Sequence, residues 1–231
     1  MPSGDTSPDT PHAVAAIRKG ITAALNTTDN EGRTVGAAKY GVYAFYDYDG
    51  EPIYVGQTRE SLRTRIRRHL TNQRTDPVAM NVLDPFEVAE IEMWPFFSLE
   101  ESDAGDHKIV DTLARAEHTV YRQAIECSRF HAVLNEKEIP EAKTIRLPPS
   151  ARASIVPDDL REMLKHPDIR IARRASTMAN LARVISERSV SEGLRNTLQT
   201  QARRLEWLAC RRLDEITGKA TAEGLDEPAG A

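Results

Sequence analysis

From position 40 the chain reads KYGVYAFYDYDGEPIYVG, two runs of aromatic and β-branched residues parted by Asp49-Gly50. That dipeptide favours a tight hairpin turn, so strands are predicted over residues 41–48 and 51–56. Pro52 implies that its position points away from the ladder or that a bulge sits there. The period then changes. Leu62, Ile66 and Leu70 recur every fourth residue, one buried stripe of an amphipathic helix, and Thr58 is a suitable N-cap ahead of it. Residues 72–83 are polar. PFEVAEIEMW, residues 85–94, is a third strand candidate whose alternation slips phase at Val88-Ala89, suggesting a bulge. Residues 106–126 carry Ile109, Leu113, Ala116, Val120 and Ala124 along one helical face. The order strand, strand, helix, strand, helix predicts an α+β fold: a small, three-stranded, mainly antiparallel sheet flanked by helices.

Outside this block the pattern divides the chain further. Residues 1–12 are polar and Pro-rich and are expected to be disordered, as are 219–231. Residues 13–35 read as an N-terminal helix, over 13–26, and a loop, and 36–139 as one domain. Residues 140–157 hold four prolines and no period, which suggests a linker. Helices follow at 158–165, 167–188 and 191–217, forming a helical extension over 158–218. The second carries Ile171, Ala175, Met178, Ala182 and Ile185, and the third Leu194, Leu198, Ala202, Leu205, Ala209 and Ile216. These two seams predict an antiparallel α-helical hairpin. Either it makes a homodimer through the C-terminal helices, or the seams bury only each other and the domain before them.

At 231 residues with 40% hydrophobic content the chain can bury a real core. No stretch approaches the roughly 20 apolar residues of a membrane span, and the polar start has no signal-peptide core, so a cytoplasmic location without membrane contact is expected. Cys127 and Cys210 lack any metal-ligand spacing and read as packing residues. A net charge of −4 excludes a uniformly basic nucleic-acid binder. Any such contact must be local. Residues 59–74 offer it: Arg59, Arg63, Arg65, Arg67, Arg68 and Arg74 stand against the single acid Glu60.

Gly41-Val42-Tyr43 and Tyr54-Val55-Gly56 fall on the two paired strands, and Arg65 and His69 follow four residues apart on the first helix. Glu117 stands on a later helix and Asn135 after it. With these residues the chain resembles the GIY-YIG nuclease family over residues 39–136, with Val for Ile in both triplets. The resemblance implies a nuclease fold and phosphodiester hydrolysis on double-stranded DNA. It further implies that Tyr43 relays a proton from water with His69 assisting, and that Arg65 clamps the phosphate. Glu117 would hold one Mg²⁺ or Mn²⁺, Tyr54 would support the phosphate or Tyr43, and Asn135 would brace the site. Arg59, Arg63, Arg67, Arg68 and Arg74 are then candidate DNA contacts.

Glu117 is conspicuous without the family. It falls within the apolar stripe formed by Ala116, Val120 and Ala124, and a carboxylate there must be paired, protonated or bound to a cation. A phenol with a pKa of about 10 is a poor base unless a neighbouring cation or His draws its proton away, which ties Tyr43 to Arg65 and His69. Tyr40, Phe45, Tyr46 and Tyr48 are better explained as packed aromatics. The expectation is a metal-dependent DNA endonuclease of restriction or phage-defence type. The alternatives are a catalytically idle DNA-binding module on the same scaffold and a repair or structure-specific nuclease.

Overall fold

The computed structural model describes residues 11–71, 82–101, 105–135 and 137–218. Helix α1 (His12–Leu25) leads through a short loop to strands β1 (Gly41–Tyr46) and β2 (Pro52–Thr58), and α2 (Leu62–Leu70) follows. After the 3₁₀ turn Pro85–Glu87 come β3 (Glu90–Pro95), the one-turn α3 (Phe97–Glu100) and the long α4 (Asp106–Cys127). Strand β4 (Ala151–Ser154) and helices α5 (Asp158–Lys165), α6 (Pro167–Glu187) and α7 (Glu192–Thr217) complete the chain. The sheet is antiparallel throughout, in the order β2-β1-β3-β4.

Asp49-Gly50 does turn the hairpin. Gly50 sits at φ 74°, its N–H donates to the Asp47 carbonyl at 3.1 Å, and Asp47 Oδ1 accepts from the amides of Asp49 and Glu51. The register of β1 on β2 shifts between Phe45 and Tyr46, opposite Pro52, so a bulge sits at the proline. Along β1, Tyr43 and Phe45 face a core shared with α1 and α2, whereas Val42 and Ala44 face a second core under α4. Both faces of the hairpin are therefore covered.

Four expectations need correction. The fourth strand comes from the segment that reads as a linker: Ala151–Ser154 pairs with β3, because that strand's open edge, and no apolar run in ARAS, decides the pairing. The cap of α2 is Ser61, whose side chain accepts from the Thr64 amide, while Thr58 ends β2 opposite Gly41. The phase slip at Val88-Ala89 is no bulge. Both residues are buried between the 3₁₀ turn and the start of β3 at Glu90. Residues 13–35 are no separate appendage either, since Ile17, Ile21 and Leu25 join the main core.

The C-terminal hairpin forms, with its buried face rotated from the seams that the apolar pattern suggests. Buried in α6 are Arg170, Arg174, Leu181 and Val184, and in α7 Leu194, Thr197, Thr200, Gln201, Arg204 and Leu208. The reason is electrostatic. Asp47 in the β1–β2 turn and Glu87 before β3 are themselves buried, and they neutralise the arginines. Asp47 Oδ2 accepts from Arg174 at 2.8 Å, from Arg204 at 2.7 Å and from Arg170 at 3.2 Å, and Glu87 Oε2 accepts from Arg174 at 2.9 Å. Burial pushes the Glu87 carboxyl pKa up, but Arg174, Arg170 and Arg173 outweigh it and hold the group below its ordinary value. No described helix is long and apolar enough to cross a membrane.

Candidate active site

The site is assembled around the outer strand β2, reached from one face by α2 and from the other by α4. On the α2 face, register places Gly56 directly opposite Tyr43. A Cβ on Gly56 would lie 2.8 Å from the Tyr43 hydroxyl and 2.9 Å from a Tyr54 ring carbon. The last residue of Tyr54-Val55-Gly56 is thus a glycine for a steric reason: two phenol rings occupy the space that a side chain would take. The Tyr43 and Tyr54 rings stack at 6.1 Å between centroids, and the His69 ring meets Tyr54 edge-on at 4.3 Å.

Helix α2 presents His69 and Arg65 on consecutive turns toward these rings. The Tyr43 hydroxyl and His69 Nδ1 are 3.2 Å apart, so a proton can pass between them in either tautomer. His69 is buried, and Tyr43 is completely so. Burial lowers the pKa of the Arg65 guanidinium, but charge and hydrogen-bond interaction with Tyr43, helped by Tyr54, turn the net direction upward. Arg65 Nε is a buried donor with no hydrogen-bond partner. Such a donor is costly unless something brings an acceptor to it. Arg65 lies on the wall of a cleft of about 710 Å³ that is also lined by Lys39, Tyr40, Gln57, Arg59 and the first turns of α4.

On the other face, α4 carries Glu117 toward β2. Its Oε2 accepts from Gln57 Nε2 at 3.0 Å. Burial raises the Glu117 pKa, and hydrogen bonds from Gln57 and the more distant charge of Arg65 only partly offset this. Among the described residues no cation pairs with it directly, and no three His, Cys, Asp or Glu side chains cluster as a metal site. A hard, half-buried oxygen donor without a counter-charge fits a divalent cation that keeps most of its waters.

Asn135 grips the same strand edge from outside. Its Nδ2 donates to the Val55 carbonyl at 2.7 Å and its Oδ1 accepts from the Val55 amide at 3.2 Å, so Val55 is fixed between Tyr54 and Gly56. The Leu134 amide donates to the Ile53 carbonyl at 2.8 Å, and Thr197 of α7 donates to the Asn135 carbonyl at 3.3 Å.

The arginine-rich segment is less uniform than its composition suggests. Arg59 is exposed at the cleft and Arg68 pairs with Glu60. Arg63 donates to the Leu25 carbonyl and Asn26, and Arg67 to Thr22, so these two tie α2 to α1. Arg74 lies outside the described residues. Of the other aromatics, Tyr46 donates to Glu92 at 2.7 Å and Tyr48 to the Phe86 carbonyl at 3.0 Å. Gln57, which sequence patterns give no role, is the residue that holds Glu117. Its only signal is its place, the first position after Tyr54-Val55-Gly56.

Residues 39–100 match the family model described as the GIY-YIG catalytic domain, a stretch that includes both triplets, Arg65 and His69 and ends before Glu117 and Asn135. Comparison with curated proteins and with solved structures found no match.

Proposed function

Because residues 39–100 place the chain in the GIY-YIG endonuclease family, we propose that the protein is a metal-dependent endonuclease that hydrolyses phosphodiester bonds in double-stranded DNA. One observation carries the proposal: Tyr43, His69, Arg65 and Glu117 converge on the Tyr54–Gly56 edge of β2 with a guanidinium donor and a carboxylate both short of partners. A phosphodiester supplies the first with an acceptor, and a divalent cation supplies the second with a counter-charge.

In this mechanism Arg65 takes a phosphate oxygen on its free Nε, a charge-assisted contact suited to the planar guanidinium. Tyr43 accepts the proton of the attacking water. A phenol with an ordinary pKa of about 10 could not do this alone, but Arg65 favours its anion and His69 takes the proton onward. Tyr54 supports both rings, and Asn135 keeps β2 from shifting. Glu117 would hold Mg²⁺ or Mn²⁺, which when bound neutralises charge developing at the leaving oxygen. Arg59 and Arg68 are the members of the arginine-rich segment best placed to follow the DNA backbone.

One such site cuts one strand, so a double-strand break takes two copies or two successive events. Leu213 and Ile216, 59% and 66% exposed on α7, are the natural contact for a second copy. A compact nuclease with its own helical extension suits restriction or defence in the cytoplasm. Incubation with supercoiled plasmid tests the function: nicked and linear products are expected in Mg²⁺ and none in EDTA. Cleavage that persists in EDTA would overturn it.

A further inference from the structure

Glu117 is held by a neutral donor where a cation could have stood. Strand alternation turns Gln57 away from Tyr43 and toward α4, where its side-chain amide meets Oε2 of Glu117 at 3.0 Å. The register puts Gln57 opposite Val42, whose side chain belongs to the core beneath α4, so the amide reaches the carboxylate from the strand that also carries Tyr54 and Gly56. Arg65 lies near enough to be felt at Glu117 but forms no ion pair with it. A lysine or arginine at position 57 would cancel the carboxylate charge. Glutamine orients it and leaves the charge whole.

We propose that Gln57 is a positioning residue for the metal: its amide fixes the side-chain conformation of Glu117 through one carboxylate oxygen and leaves the other to a divalent cation. Outer partners of this kind commonly govern metal affinity as strongly as the ligand's own geometry does. The inference rests on the nuclease proposal, and its test separates the two.

The experiment measures Mn²⁺ binding to the full-length, DNA-free protein by electron paramagnetic resonance, alongside thermal melts in EDTA. The proteins are wild type, Glu117→Gln, Gln57→Met and, as a second variant with a different volume, Gln57→Ala. Wild type is expected to show one Mn²⁺ site that Glu117→Gln removes. Both Gln57 variants should bind about 10–100-fold more weakly, with EDTA melts close to wild type. Mn²⁺ affinity within twofold of wild type in both would overturn the positioning role and leave the metal assignment intact. Affinity that falls only together with a collapse of the EDTA melt would mark Gln57 as a strut between β2 and α4, and would also overturn it. If wild type shows no Mn²⁺ site that Glu117→Gln removes, the metal assignment itself fails and the positioning role with it.

Discussion

Asp47→Asn should be among the most destabilising single substitutions in this protein, although it changes neither the shape nor the apolar content of its side chain. Asp47 Oδ1 accepts the two turn amides, and asparagine can keep those bonds. What is lost is the charge on Oδ2, which accepts from Arg170, Arg174 and Arg204 within 3.2 Å. All four residues are buried, so water cannot replace the missing anion. Glu87 is then the only other fully buried carboxylate facing three guanidiniums, and Arg204, whose Nη1 is already unpartnered, loses its only ion pair among the described residues. Removing one partner of a buried pair costs about 3–5 kcal/mol. Against a typical total of about 5–15 kcal/mol, this would leave the fold marginal. Urea denaturation followed by circular dichroism gives the value. The double variant Asp47→Asn/Arg204→Met should lose less than the sum of its singles, by at least about 1 kcal/mol, because it removes a stranded cation along with the anion. A cost below about 1 kcal/mol for Asp47→Asn, the level of a surface pair, would refute the view that these arginines dock α6 and α7 onto the hairpin.

Gly56→Ala would drive a methyl group against the Tyr43 hydroxyl, so plasmid cleavage should fall by about 10²-fold or more, while a thermal melt shows the fold retained; near wild-type cleavage would show that Tyr43 needs no fixed position. Burial raises the folded pKa of Glu117 above its ordinary 4.5, so its contribution to apo stability is complete below that value and is lost as pH rises through the folded pKa. In EDTA the melting point of wild type relative to Glu117→Gln should therefore decline with rising pH, and a difference that grows with pH would contradict the shift. Arg59→Ala should weaken DNA affinity and reduce the slope of log affinity against log salt by about 1, as read by fluorescence anisotropy, whereas Arg67→Ala, at a residue bound to Thr22, should change the slope less; the reverse order would place the DNA elsewhere on α2.

Features with a local cause were legible in the sequence. The hairpin, α2, α4 and the three C-terminal helices announce themselves by period, and Asp49-Gly50 by its turn chemistry. Glu117 stood out because a carboxylate within an apolar stripe calls for a partner. Strand β4 could not be seen, since ARAS has no strand pattern and owes its conformation to the free edge of β3. The docking face of α6 and α7 was hidden for a related reason. Arginines read as solvent-facing until Asp47 and Glu87, more than 80 residues earlier in the chain than Arg170, are brought beneath them. Gln57 was invisible because a neutral polar residue at a strand end breaks no rule of pattern.

The most direct measurement is single-turnover cleavage of plasmid DNA in Mg²⁺ by wild type and by Glu117→Gln, with DNA affinity measured in parallel. If Glu117 holds the catalytic cation, the variant should bind DNA about as tightly as wild type and melt no lower in EDTA at neutral pH. Its cleavage rate should nevertheless fall by on the order of 10³-fold, in keeping with loss of charge stabilisation in the transition state. A variant that cleaves at a rate near wild type would contradict the central claim that this carboxylate, standing without a cationic partner beside β2, makes the protein a metal-dependent nuclease.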